Sequence, residues 1–140
     1  MNRSAYIQKP ARRILLLMVT SLLAGSVQAE WLWLGRNEDF RVYVDRQLVQ
    51  KNGEFVQMWQ LMDFTTAQWE DARTVVWSIK NLIEYDCRRP RSRTLVGEAY
   101  SEQMGAGRKV ASDKLPDPPW EDITPGTTAE KIRQIACEGR

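Results

Sequence analysis

The sequence predicts an α+β domain, a mainly antiparallel β-sheet closed by one C-terminal helix. Three observations predict it. Short runs that alternate apolar and polar residues, or are dense in β-branched and aromatic ones, recur between glycine, asparagine and proline breaks. The pair Asn52-Gly53 joins two such runs and suits the positive φ angles of a tight hairpin. The clear helix signature is confined to the C-terminal stretch TTAEKIRQIACEGR. One helix packed on one antiparallel sheet is an α+β arrangement.

The first element is a leader. MNRSAYIQKPARR carries Arg3, Lys9, Arg12 and Arg13 and no acid, and the uncharged run ILLLMVTSLLA follows at residues 14–24. Crossing a bilayer takes about 20 apolar residues, roughly twice this run. Val27-Gln28-Ala29 closes the segment with the −3 and −1 pattern of a secretory signal peptide, so residues 1–29 are predicted to leave by cleavage between Ala29 and Glu30. A short uncleaved anchor is the competing reading, and the run's length disfavours it. Leu23-Ala24-Gly25 would suit a lipoprotein, but Ser26 stands where the lipidated cysteine belongs, so no lipid anchor is expected. Residues 30–140 then form a single domain. The leader takes four of the chain's 20 basic residues and none of its 18 acidic ones, which turns a net charge of +2 into −2.

Within that domain, WLWL at residues 31–34 is a short apolar run ended by Gly35. FRVYVD at 40–45 sets Phe40, Val42 and Val44 against Arg41, Tyr43 and Asp45, the pattern of a half-buried strand. Residues 40–49 and 55–64 are expected to pair across the Asn52-Gly53 turn. The second of these strands is apolar on both faces, with Phe55, Trp59 and Leu61 on one and Val56, Met58 and Met62 on the other. That marks a central strand, or one covered by a partner. RTVVWSIKNLIEYD at 73–86 reads as a strand, with a helix over SIKNLIEY as the alternative. TLVGEAYSEQM reads as another strand, and Gly105-Ala106-Gly107 as a turn rather than a phosphate loop, since no helix follows it. LPDPPWEDITPG holds four of the six prolines and is an extended connection. Thr127 and Glu130 then make a capping box, and Ala129, Ile132, Ile135 and Ala136 fall on one helix face. Most of the six tryptophans are expected in the core, with one or two left for an interface.

Cys87 and Cys137 both lie in the exported part. An even count in an oxidising compartment predicts a disulfide, which would pin the helix to the strand ending at Cys87. A redox pair and a metal site remain as alternatives, but the two are far from C-x-x-C spacing and no histidine completes a zinc site. The missing histidine also removes the commonest general base and the Ser-His and Cys-His nucleophile pairs. Glu70-Asp71 and Glu121-Asp122 are adjacent acids, whose side chains diverge on a strand or a helix. They are expected in solvated loops beside Trp69 and Trp120. No catalytic residue, metal or cofactor is predicted, and a carboxylate hydrolase or thiol oxidoreductase is the remaining enzymatic reading. CRRPRSR concentrates Arg88, Arg89, Arg91 and Arg93, whose guanidinium forks match phosphate, sulfate and carboxylate. They are the candidate anion or partner contact; the plainer reading is a solvated connection broken by Pro90. A nucleic-acid role needs a wider basic surface than a net-acidic domain offers.

In order, VYVD (42–45), the Asn52-Gly53 turn, WQLMD (59–63), YDC (85–87) with Arg91 and Arg93, AYSEQMGAG (99–107), Trp120, Pro125-Gly126-Thr127 and Cys137 form a spaced set of landmarks. In these the chain resembles the surface-adhesin protein E family of Gram-negative bacteria, over nearly all of residues 40–137. The resemblance implies about six antiparallel strands with a C-terminal helix, tied by a Cys87–Cys137 disulfide, in a protein able to form a homodimer. It also implies binding to host matrix and plasma proteins such as vitronectin, laminin and plasminogen. With Ser26 in place of an anchoring cysteine, the expected function is a non-catalytic periplasmic binding domain that offers a sheet face or edge to a protein partner. A surface-exposed or released adhesin is the alternative.

Overall fold

The computed structural model describes residues 30–138. The predicted leader, with Ala29 at its end, lies outside them. The strands are Trp31–Arg36 (β1), Phe40–Asp45 (β2), Gln50–Asn52 (β3), Phe55–Trp69 (β4), Val75–Asp86 (β5), Arg91–Tyr100 (β6), Lys109–Lys114 (β7) and Glu121–Asp122 (β8), and Thr128–Cys137 forms the helix α1. Six strands make one antiparallel sheet in the order β1-β2-β4-β5-β6-β7. Two short strands extend it, β3 on the start of β4 and β8 on the start of β6. The α+β architecture with one C-terminal helix and one disulfide is as the sequence predicts.

The expected hairpin forms with two differences. Asn52 pairs with Phe55, so the turn residues are Gly53 and Glu54, with Gly53 at φ 60° in the first central position. Glycine there needs no compensation, because it lacks the Cβ that makes positive φ costly. Residues 46–49 also leave the sheet. Asp45 Oδ1 accepts the backbone N–H groups of Gln47 and Leu48 at 2.9 and 3.3 Å, an Asx turn that competes with the ladder and ends β2. Residues 75–86 are strand throughout, so the helical alternative for SIKNLIEY falls.

Directly opposed residues share a face of the sheet. One face therefore carries Val42 and Val44 from β2, Val56 and Met58 from β4, and Ile83 and Tyr85 from β5. Ile132 and Ala136 of α1 cover it, with Ile123 and Cys87 completing the core. Ala129, predicted on the packed face, is exposed, because the covered stripe begins one turn later at Ile132. Thr127 caps the helix by accepting the Glu130 N–H at 3.3 Å, while Glu130 reaches back to the Gly126 N–H at 2.7 Å. The disulfide sets Cys87 and Cys137 5.8 Å apart at Cα, joining the end of α1 to the end of β5.

None of the tryptophans is in the core. Trp33 and Trp69 are 57% and 65% exposed, and the other four are half-buried. The reason is coverage. At about 1.5 Å per residue a helix of 10 residues spans about 15 Å. β4 runs for 15 residues, about 50 Å at strand rise. So α1 roofs one end of the sheet with small and medium side chains, and the aromatic rings lie beyond it or on the opposite face.

Candidate functional site

Three surfaces hold the chemistry that the core leaves unused. The first is the arginine segment. Arg88, Arg89 and Pro90 form the exposed turn between β5 and β6, but Arg91 and Arg93 lie on β6 and are half-buried. They are not part of a solvated connection, because each sits opposite an acid of β5. Arg91 pairs with Asp86 at 2.9 Å and Arg93 with Glu84 at 2.7 Å, and Arg93 also reaches Asp117 at 3.2 Å. Trp120 covers both guanidiniums, at 4.6 and 4.5 Å from its ring centroid, and stacks on Phe55 at 5.4 Å. Asp86 also accepts the N–H groups of Arg88 and Arg89. Burial alone would raise its pKa, but these hydrogen bonds and the Arg91 charge outweigh it and hold the carboxyl below its ordinary value. Of the four arginines, Arg88 meets Glu54, and Arg89 has no carboxylate partner among the described residues.

The second surface is the β1 edge. β1 is the outermost strand on its side and puts Leu32 and Trp33 into solvent, 39% and 57% exposed. Its outer row of backbone groups has no strand beside it among the described residues. The opposite edge, β7, is KVASDK, with Lys109, Ser112, Asp113 and Lys114 exposed. Charge on an edge discourages strand pairing, whereas an apolar edge invites it.

The third surface lies where β4 bulges. The β4–β5 register passes from Asp63↔Ser78 to Gln68↔Val76, so residues 64–67 stand against Trp77 alone. A cleft of about 560 Å³ opens there, lined by Thr65, Trp77, Ser101, Glu102 and Gln103. Its wall is the loop after β6. The sequence reads TLVGEAYSEQM as strand throughout, but β6 ends at Tyr100 and Gln103–Gly105 make a 3₁₀ turn. Two fully buried polar side chains hold that turn down. Asp63 Oδ1 accepts the Met104 N–H at 2.7 Å, and Ser78 Oγ accepts the Gly105 N–H at 2.8 Å while donating to the Glu102 carbonyl at 2.6 Å. Arg41 pairs with the other oxygen of Asp63 at 3.3 Å. The clamp keeps Met104 at φ 58°, a left-handed conformation uncommon outside glycine, with its side chain partly exposed. Sequence reasoning missed this surface. A serine and an aspartate inside strands look like solvent-facing positions, and only the return of residues 101–107 over them makes them buried.

Two further acids, Asp71 and Glu98, are structural. Asp71 accepts the N–H groups of Arg73 and Thr74 and the Thr74 hydroxyl, which lowers its pKa, and caps the β4–β5 turn. Glu98 is hydrogen-bonded by Lys109 and by Tyr100, and these bonds lower its pKa against the opposing effect of burial. The Tyr100 hydroxyl is pushed up to about 12, by burial first and then by Glu98. Among the described residues no three cysteine or acidic side chains are grouped to hold a metal ion, and no helix is long and apolar enough to cross a membrane.

The family model for surface-adhesin protein E matches residues 31–138. Among curated proteins none matches the chain. Solved structures of protein E from Haemophilus influenzae share the fold. Crystal form II aligns with a TM-score of 0.65 at 18% identity, covering 81% of this chain and 91% of that one. The protein from a non-typeable strain aligns at 0.62 and 18%, covering 81% and 79%, and a third structure at 0.61 and 16%, covering 81% and 87%.

Proposed function

The chain belongs to the surface-adhesin protein E family, and from that premise we propose that it is an exported, non-catalytic binding domain that works in the periplasm. Its predicted leader, residues 1–29, directs export, and Ser26 gives no thiol for a lipid anchor. The observation that carries the reading is the β1 edge. An outermost strand with Leu32 and Trp33 exposed offers unpaired backbone groups and two large apolar side chains together. Strand addition uses that combination: main-chain hydrogen bonds supply affinity, and alternate side chains supply specificity. The partner is a protein, and a second copy of the chain is one form it takes.

A second reading, a surface-exposed or released adhesin for host matrix or plasma proteins, is favoured by the β5–β6 turn. Arg88 and Arg89 project there from a rigid base and suit an acidic ligand. Cell fractionation with protease treatment of intact cells tells the two apart. The periplasmic reading expects the cleaved chain to leave with the periplasm and to be protected in whole cells. Digestion from outside overturns it in favour of the adhesin, whose binding through arginines should weaken steeply with ionic strength.

A further inference from the structure

We propose that the cleft at the β4 bulge is a recognition site for a cationic side chain, a lysine ammonium or an arginine guanidinium, presented by a protein partner. The inference rests on the binding-domain reading and places a specificity pocket on it, with a lining that does not include Leu32 or Trp33. Its first support is construction. A four-residue bulge, a left-handed Met104 and a pair of buried polar side chains all serve to fix one loop against one gap in the sheet. Bulges and held backbone strain concentrate where a protein positions a ligand.

The lining then selects the ligand. Trp77 provides an aromatic ring, which attracts a cation to its face. The Glu102 carboxylate has no ammonium or guanidinium within ion-pair distance among the described residues, and it is the only formal charge in the lining. The cations nearest in sequence or space are elsewhere engaged or exposed. Lys109 holds Glu98, and Lys80 lies beneath Gly105 with its ammonium 4.6 Å from the Tyr100 ring. Arg108 is bonded to Ser101 through its backbone, but its side chain is exposed and makes no ion pair with Glu102 among the described residues. Thr65 donates its hydroxyl proton to the carbonyls of Glu38 and Asp39, and the Gln103 amide donates to Phe64. The Thr65 hydroxyl and the Gln103 side-chain oxygen thus keep lone pairs for an incoming donor, and Gln103 keeps a second amide proton as well. A neutral sugar would use the ring and the acceptors but would leave the carboxylate without a counter-charge.

Three probes test this on the purified exported protein: Nα-acetyl-lysine amide, its norleucine analogue and the neutral disaccharide chitobiose. The readout is the Trp77 indole N–H and the Gln103 side-chain amide by NMR, with Trp77→Phe to assign the indole. The lysine probe is expected to shift both signals saturably, and the other two are not. Glu102→Gln should weaken the lysine probe about fivefold. It should leave thermal stability unchanged, since Glu102 is exposed and in no ion pair among the described residues. Equal shifts with norleucine, a response to chitobiose alone, or a Glu102→Gln protein that binds lysine as well as the original would each overturn the proposal. Partner binding that needs Trp33 but is indifferent to Glu102 removes the cleft and leaves the binding domain. Loss of partner binding on changing either residue supports both.

Discussion

Asp86 shows how a single side chain can decide whether a charged segment is a site or a brace. It is 4% exposed, and its two oxygens take the N–H groups of Arg88 and Arg89 and the Arg91 Nε at 2.9, 3.1 and 2.9 Å. A buried carboxylate satisfied on both oxygens fixes the turn that follows, and the turn in turn places Cys87 for its disulfide. Arg133 adds to the same corner by donating to the Asp86 and Cys87 carbonyls at 3.3 and 3.5 Å. Asp86→Asn keeps the shape but removes the charge and one acceptor. It should cost about 2 kcal/mol at neutral pH, the scale for hydrogen bonds to an ionised group, measured by chemical denaturation. The sign of the pH effect follows from the lowered pKa. The stabilisation is fully present above the ordinary carboxyl value of 3.8 and is lost as pH falls through the lower folded value. The gap between wild type and Asp86→Asn should therefore narrow only below about pH 4. A gap that stays constant to lower pH would mean that Asp86 acts by shape alone.

At the scale of elements, alternation, turn residues and the Thr127 cap made β2, β4, β5 and α1 legible, because each signal is local. The coverage of those elements was not legible. β4 is apolar on both faces, yet Val56 and Met58 are buried by α1 on one face, while Leu61 and Asp63 are buried on the other. No local pattern says where along a strand the covered face changes. The same gap hid Arg91 and Arg93, which look like loop residues until the acids of β5 are set opposite them. It also misplaced the tryptophans, whose size suggests a core that a ten-residue helix is too short to roof. The helix itself buries two side chains, Ile132 and Ala136, so the disulfide carries much of its attachment. Closing a loop of separation 50 is worth about 4 kcal/mol in the chain-entropy model. Cys87→Ser with Cys137→Ser should lower stability by about that amount, and trypsin should cut first at Lys131 and Arg133 as α1 lifts from the sheet. If the double variant keeps its stability but loses a measurable thiol-exchange activity, the pair is a redox couple and the structural account fails.

For the whole molecule, the two edges of the sheet carry opposite instructions. β7 exposes lysines and an aspartate, which resist addition of another strand, and β8 further shortens the free part of β6. β1 exposes Trp33 and Leu32 and has no strand on its outer side among the described residues, so it is the edge that leaves strand addition open. That asymmetry separates binding from stability, since Trp33 touches solvent over more than half its surface while the core lies under α1. Trp33→Lys should accordingly change folding stability by less than about 1 kcal/mol, because it alters one exposed edge position. It should strongly weaken whatever association the β1 edge makes, whether with another protein or with a second copy. Light scattering across a concentration series measures the second, and binding to an identified partner measures the first. A charged side chain at Trp33 that leaves both unchanged would show that the edge is only an exposed strand, and the binding surface would then have to be sought on the arginine turn or in the bulge cleft.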